Sequence, residues 1–292
     1  MFQFLFALFF IISLMNCEQL IPASQQAISL WIEKLLPSMF FMMVLLKLVV
    51  QWEILKPFLK PFRFIFQRCF GLDENSFALC LNLLLIGYPA GSIMVDQKVK
   101  EGIIDAKQGQ RLLNCCSCAS FGFIWLSVGK VFLNSLSLGI RCWLIQIVIS
   151  FIFLWLTRKT VCFMNITSSN IQIIDDFKSA ISGALNAMLQ ILGYVMMALC
   201  IGTLLLQLLP QPLADFLQPL LEFSNGCYLI SQKDSLLVEK AMRMSMLIAF
   251  GGFCVHLQII GMVENFRFDY GMYFRYRLLA VLLAGLLSIF MF

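Results

Sequence analysis

The sequence predicts an all-α polytopic membrane protein, and three observations support this prediction. Hydrophobic residues make up 61% of the 292 residues, charged residues make up only 13%, and the mean hydropathy is +0.89. A soluble domain needs a much more polar surface than this composition provides. Apolar runs of bilayer-spanning length recur along the chain, and glycine-rich interruptions fall inside two of them, at 87–91 and 251–252.

The N-terminal part, residues 1–26, is interpreted as a first helix with its connection. Its apolar stretch, 2–15, has neither the positive start nor the small-residue cleavage site of a signal peptide. Residues 27–52 then form a helix long enough to span the membrane. The segment 56–70 mixes phenylalanines with basic residues and prolines, which predicts a piece lying at the membrane interface.

The first interruption is the sequence LLLIGYPAGS at 83–92. Pro89 lacks an amide donor, and Gly87 and Gly91 lack the side chains that favour a regular helix, so helical hydrogen bonding is expected to fail here. In hydrocarbon, freed backbone groups are tolerated only where protein or a wet cavity shields them. This segment is therefore a candidate binding site.

The rest of the chain follows a similar order. Residues 105–133 begin polar and end apolar, 136–156 form a plain spanning helix, and 173–209 form a long helix. Prolines 210, 212 and 219 suggest a second interfacial piece. The second interruption, FGGFCVHLQ at 250–258, lies inside the run 235–263, and the last span is 268–292.

An internal repeat links the two halves of the chain. Ile28 aligns with Ile181 and Pro57 aligns with Pro210 at a constant offset of 153 residues. We predict repeat 1 at 27–135 with the GYPAG hairpin, a connecting span and linker at 136–170, and repeat 2 at 171–292 with the FGGFCVHLQ hairpin. Paired broken helices in two halves of a membrane protein are a pointer to a transporter-type site.

Loop charge distinguishes two topologies. If both interruptions are re-entrant hairpins, nine basic residues share one face, and the other face carries Lys233 and Arg267. If both segments span fully, the basic loops divide almost evenly between the faces. The positive-inside rule favours about six spanning helices plus two re-entrant hairpins in an inverted repeat. The alternative is eight spanning helices.

Candidate site residues surround the interruptions. His256 is the only histidine, and it could couple a proton to transport or could simply be a hydrogen-bonded helix residue. The polar candidates near the breaks could bind a solute or could bond one another across the repeats. The full set of substrate-binding candidates is Asn82, Gly87, Tyr88, Pro89, Gly91, Ser92, Ser117, Ser120, Gly251, Gly252, His256 and Gln258.

The chain resembles the YlbJ-like sporulation integral membrane proteins, which carry the nucleoside-recognition or Gate domain. The matching pieces are WIEKLLP at 31–37, IGYPAG at 86–91, GIIDAKQGQRLL at 102–113 and FGGFCVHLQ at 250–258. The chain departs from the family at 117–123, where an Asn-Asn and a Pro are missing, and at 229–231, where Leu replaces a Glu. The resemblance implies a core like that of concentrative nucleoside transporters and a link to spore formation.

These observations predict a transporter or gate-type permease for a small polar solute, either nucleoside-like or an organic anion or ion. The alternative is a non-transporting scaffold in sporulation or envelope assembly. The expected location is the bacterial cytoplasmic membrane, with the lipid bilayer and a small solute or ion as partners and with the oligomeric state left open. No catalytic, metal or cofactor site is predicted, because the chain shows no catalytic constellation, metal-ligand cluster or phosphate loop. No nucleic-acid partner is predicted either, because the net charge of +5 is modest and the basic residues fall in loops between apolar runs.

Overall fold

The structure is a computed structural model that describes residues 2–158 and 173–292, and the regular structure in these residues is entirely helical. The predicted linker up to residue 170 falls partly outside the described residues. The helices are α1 Phe2–Met15, α2 Cys17–Leu30, π1 Trp31–Leu35, α3 Leu36–Gln51, α4 Lys56–Leu59, a 3₁₀ turn Lys60–Phe62, α5 Arg63–Phe70, α6 Glu74–Ile86, α7 Ala90–Lys100, α8 Ala106–Cys116, π2 Phe123–Phe132, α9 Leu136–Leu156, α10 Ile173–Leu206, α11 Gln211–Leu221, α12 Phe223–Gln232, α13 Leu237–Phe250, α14 Gly252–Met262 and α15 Tyr270–Met291.

Four stretches are long and apolar enough to cross a membrane: α9, α10, the pair α13–α14, and α15. Many of their large apolar side chains point outward, as on Ile140, Leu189 and Leu282. A helix that exposes apolar side chains to this extent requires an apolar environment. The chain is therefore a multi-pass membrane protein with lipid-facing helices.

The helices end in two groups of loops, which we name end A and end B. At end A, hydrogen bonds join Trp52 Nε1 to Asp176 Oδ2 (2.9 Å), Asn265 N to Asp96 Oδ1 (2.8 Å), Asp269 N to Gln110 Oε1 (2.7 Å) and Arg111 Nη2 to Phe70 O (2.5 Å). At end B, they join Arg141 Nη1 to Met291 O (3.2 Å), Lys240 Nζ to Ser231 O (2.9 Å), and Gln207 Nε2 to Gln19 Oε1. These contacts fix the direction in which each helix runs.

The first interruption turns the chain back on itself. A Cβ placed on Gly91 would lie 3.1 Å from Cδ2 of Leu83 and 3.9 Å from its carbonyl oxygen. In a straight helix, residues eight positions apart are about 12 Å apart along the axis. α6 and α7 therefore form a hairpin, hairpin 1, which starts and finishes at end A and has its tip at Gly87.

A second hairpin lies at a place that the sequence analysis assigned to the membrane interface. A Cβ on Gly226 would lie 3.0 Å from the carbonyl carbon of Pro219, so α11 and α12 fold against each other. The tip of this hairpin 2 is Glu222, whose side chain is only 2% exposed. Hairpin 2 starts and finishes at end B.

The segment around Gly251 is not a hairpin, contrary to the prediction from the sequence. Met246 Sδ lies 3.5 Å from the Cβ position of Gly285, and the Tyr270 hydroxyl donates to the Ile260 carbonyl at 3.2 Å. The chain from 246 to 260 therefore follows α15 in a single direction, from end B to end A. The glycines interrupt the helix, but α15 offers one continuous packing surface to both arms. We name α13–α14 broken span 2.

Broken span 1 consists of α8 and π2, separated by the irregular residues 117–120. Arg111 Nη2 donates to Leu154 O at 3.1 Å near end A, whereas a Cβ on Gly129 would lie 2.9 Å from the Cα of Gly139 near end B. Both arms therefore run antiparallel to α9 along its length. The interruption falls between them, in the interior of the protein.

Candidate functional site

The four interruptions meet in the interior, and we name their meeting place the junction. It consists of the tip of hairpin 1 (87–89), the gap in broken span 1 (117–120), the tip of hairpin 2 (222–223) and the gap in broken span 2 (251–252). The Gly87 backbone has φ +72°, a conformation that glycine adopts at little cost. The Tyr88 amide donates to the Cys118 carbonyl at 2.8 Å, which joins the first two interruptions.

The Tyr88 side chain joins hairpin 1 to the other two interruptions. Its hydroxyl donates to the Ile248 carbonyl at 3.1 Å. The Gly251 amide makes the last backbone bond of α13, to Leu247 (2.8 Å), so the next carbonyl takes the tyrosine instead of a helical amide. The tyrosine ring also packs edge-on against Phe223 at the tip of hairpin 2, with ring centroids 5.3 Å apart.

The tip of hairpin 2 is held by a buried carboxylate. Glu222 caps α12 by accepting bonds from the amides of Ser224 (3.0 Å) and Asn225 (2.7 Å). Negative charge is favourable at a helix N-terminus, which explains an acidic residue at this position. The tip fits against Gly252, whose Cβ position lies 3.0 Å from the Phe223 nitrogen.

Arg277 of α15 satisfies the carbonyls that the gap in broken span 1 leaves free. Its Nη2 donates to Asn114 O at 2.7 Å and its Nη1 donates to Ser117 O. The arginine side chain is only 3% exposed. The carbonyls of Asn114, in the last turn of α8, and of Ser117, just after it, therefore find a donor inside the protein.

The structure brings together seven of the twelve predicted site residues at the junction: Gly87, Tyr88, Pro89, Ser117, Ser120, Gly251 and Gly252. Asn82, Gly91 and Ser92 belong to the arms of hairpin 1. The Ser92 hydroxyl bonds to the Pro89 carbonyl at 2.6 Å, so it supports the turn from within.

The remaining two candidates lie on α14. His256 is 8% exposed and is surrounded by the rings of Phe250, Phe253, Tyr273 and Phe274, with centroids 4.9 to 6.5 Å away. Neither ring nitrogen has a hydrogen-bond partner among the described residues. Gln258 donates to Cys254 Sγ at 3.3 Å, within its own helix.

Sequence reasoning missed Glu222 and Arg277. Glu222 follows Pro219 and precedes Asn225-Gly226, and this polar, turn-forming group between apolar runs is a signal for a second tip. Arg277 stands inside the last apolar span, and an ionisable residue at such a position is a functional or structural signal in itself. Within 2–158 and 173–292, no three His, Cys, Asp or Glu side chains come close enough to share a metal ion.

Two cavities lie against opposite halves of α10. The cavity toward end A has a volume of about 530 Å³ and is formed by α3, hairpin 1 and the α10 residues 179–190. The cavity toward end B has a volume of about 270 Å³ and is formed by α2, α11 and the α10 residues 199–207. From Gly183 to Thr203 the rise along α10 is about 30 Å. We name them the end A cavity and the end B cavity.

Tyr88→Phe tests the bond that joins hairpin 1 to broken span 2. The substitution keeps the ring but leaves the buried Ile248 carbonyl without its donor, so we expect the free energy of unfolding to fall by about 1 kcal/mol. Tyr270→Phe is the matched control, because its hydroxyl also donates to a carbonyl but is at the surface. Unfolding in mixed detergent micelles measures both variants, and equal losses would contradict a special role for Tyr88.

Comparisons with known protein families, with curated protein sequences and with solved structures found no match.

Proposed function

We propose that this protein is a membrane transporter that moves a small polar solute by alternating access around the junction. The observation that carries the proposal is the pair of cavities at opposite ends of α10, with the closed junction formed by both hairpins and both broken spans. Alternating access needs one entrance on each side of the membrane and a barrier between them that can open to either side. Rocking of the hairpins would open one entrance at a time.

The order of the helices supports an inverted repeat. In the first half, α2–α3 run from end B to end A, hairpin 1 follows at end A, broken span 1 crosses to end B, and α9 returns. In the second half, α10 runs from end A to end B, hairpin 2 follows at end B, broken span 2 crosses to end A, and α15 returns. The corresponding elements of the two halves follow one another in the same order along the chain but run in opposite directions. Many secondary transporters have this arrangement.

This arrangement differs from the repeat expected from the sequence. Hairpin 1 corresponds to hairpin 2, and the interruption at 251–252 corresponds to the gap at 117–120. α9, which the sequence analysis treated as a connecting span, belongs to the first repeat as the counterpart of α15. The proposed topology has six crossings and two re-entrant hairpins, with α1 in addition.

Loop charge supports a cytoplasmic end A. Because broken span 2 crosses fully, Arg267 joins the basic residues at end A, where it lines a pocket together with Lys107. Lys56, Lys60, Arg63, Arg68, Lys98, Lys100 and Arg158 also lie in or beside end A loops. An excess of Lys and Arg in short loops marks the cytoplasmic side.

A second candidate function is a non-transporting scaffold, and the direct contact between the tips favours it. Tyr88 contacts hairpin 2 and broken span 2 through its side chain and broken span 1 through its amide, and a Cβ on Gly87 would lie 2.6 Å from the carbonyl carbon of Ala119. A closed transporter and a permanently closed scaffold share this geometry. Transport measurements distinguish them.

Proteoliposome uptake of labelled nucleosides, organic acids and monovalent ions tests the proposal. We expect at least one solute to accumulate, and Thr203→Trp to reduce its uptake about tenfold or more because the indole fills the end B cavity, where one blocked entrance stops the cycle. Leu205→Trp is the control, since that residue lies on the same helix and is exposed.

Absence of uptake for every solute, or equal uptake by Thr203→Trp and the control, would overturn the proposal in favour of the scaffold. Nucleosides belong in the panel because of the resemblance to the YlbJ-like family. A link to spore formation is proposed on the same basis, and deletion of the gene in a sporulating host would test it by spore counts.

A further inference from the structure

Lys47 is an isolated positive charge inside an apolar helix. It is the only charged residue of α3, and its ammonium group lies directly against Gly183 of α10, where any side chain would displace it. No carboxylate of the described residues forms an ion pair with it. Asp176, about two turns from Gly183 toward end A, accepts bonds from Gln51 and Trp52.

Four side-chain amides line the end A cavity around this lysine, and two of them, Gln51 and Gln97, already donate to Asp176 and Glu101. Gln51, Gln97, Asn186 and Gln190 line it, and no acidic residue does. Lys98 also lines it but is paired with Glu101 at 3.1 Å. Lys47 therefore carries the uncompensated charge of the cavity.

The end B cavity has the opposite character. The only charged residue in its lining is Asp215, which accepts a bond from Gln211 at 2.8 Å. The two entrances thus differ in the sign of their charge. An ionisable residue kept within a membrane helix marks a site with a counter-ion, because desolvation of an unpaired charge is costly.

We infer that the end A cavity binds the anionic group of a small solute, a carboxylate or a phosphate, with Lys47 as its counter-ion and the amides of Asn186 and Gln190 as further donors. The inference rests on the proposed transport function and names its substrate class: small organic anions that enter from end A. The phosphate of an anionic lipid offers the same chemistry and could reach the cavity from the bilayer. The experiment separates these two sources.

Thermal unfolding of the full chain in neutral detergent, with and without succinate, citrate or inorganic phosphate, measures anion binding. We expect at least one anion to raise the unfolding temperature of the wild type. Lys47→Gln should bind that anion at least about tenfold more weakly than the wild type, and Lys47→Arg should bind it with nearly the wild-type affinity. Lys178→Gln is the control, because this exposed lysine lies near the same end of α10 and outside the cavity.

The lipid source is tested in nanodiscs. One outcome is that phosphatidylglycerol stabilises the wild type more than phosphatidylcholine does, with no such gain in Lys47→Gln and no stabilisation by soluble anions. This result would assign the cavity to a lipid and overturn the substrate inference. No stabilisation by any soluble anion, or stabilisation that survives in Lys47→Gln, also overturns it.

A chemical measurement on the wild type keeps the test independent of variant folding. Modification of Lys47 by an amine-reactive reagent, followed by mass spectrometry, should slow several-fold in the stabilising anion, while modification of Lys178 stays constant. Equal rates at Lys47 with and without anion contradict the inference. Uptake of a neutral solute that is unaffected by Lys47→Gln would leave the transport proposal standing and remove only the anion assignment.

Discussion

Gly87→Ala is expected to destabilise the protein by about 3 kcal/mol or more. The glycine has φ +72°, and its Cβ position overlaps the Ser120 backbone nitrogen and lies 2.6 Å from the Ser120 Cα. A side chain there incurs left-handed strain and also forces hairpin 1 away from broken span 1. Unfolding in mixed detergent micelles measures the loss.

Gly102→Ala is a matched control for this prediction. Gly102 has nearly the same φ, +70°, but its Cβ position has no atom within 4 Å. We expect a loss of about 1 kcal/mol from backbone strain alone. Similar losses in the two variants would show that the close approach at the junction contributes little.

Gly139→Ala is expected to cost about 2 to 4 kcal/mol, because α9 and π2 approach each other through glycines. The added Cβ would lie 2.7 Å from the Cα of Gly129 and 3.1 Å from the Ile124 carbonyl oxygen. Small residues allow membrane helices to approach this closely, and backbone atoms cannot rotate away as a long side chain can. The same unfolding measurement applies.

Gly193→Ala is the control for the helical position. Gly193 lies in α10, and its Cβ position has no atom within 4 Å, so alanine should stabilise the helix by about 0.5 to 1 kcal/mol. Opposite signs for Gly139→Ala and Gly193→Ala are the expected result. A neutral Gly139→Ala would mean that the two helices separate easily.

The sequence was sufficient to predict an all-helical membrane protein and the position of both glycine interruptions. It was not sufficient to predict the direction of the chain after Gly251. Glycine pairs remove the local preference for a helix, but the path of the following residues depends on the surface against which they pack. α15 supplies that surface for 252–262, and no local pattern encodes it.

Hairpin 2 was missed for a related reason. Prolines between apolar runs suggest an interfacial segment, and the carboxylate of Glu222 strengthens that interpretation because an acidic side chain in the interior is costly. In the fold, two backbone amides of α12 offset this cost. Glu222 is therefore compatible with the interior only in the tertiary arrangement of the tip, which no local pattern of the sequence reveals.

The contacts of Tyr88 would limit ion leakage through the proposed transporter. The Tyr88 side chain of hairpin 1 bonds to the Ile248 carbonyl of broken span 2 and packs against hairpin 2, so withdrawal of hairpin 1 would leave that buried carbonyl without its donor. In the proposed transporter, a junction held in this way without solute would keep protons and sodium from leaking down their gradients. Such a seal would preserve the membrane potential between transport cycles.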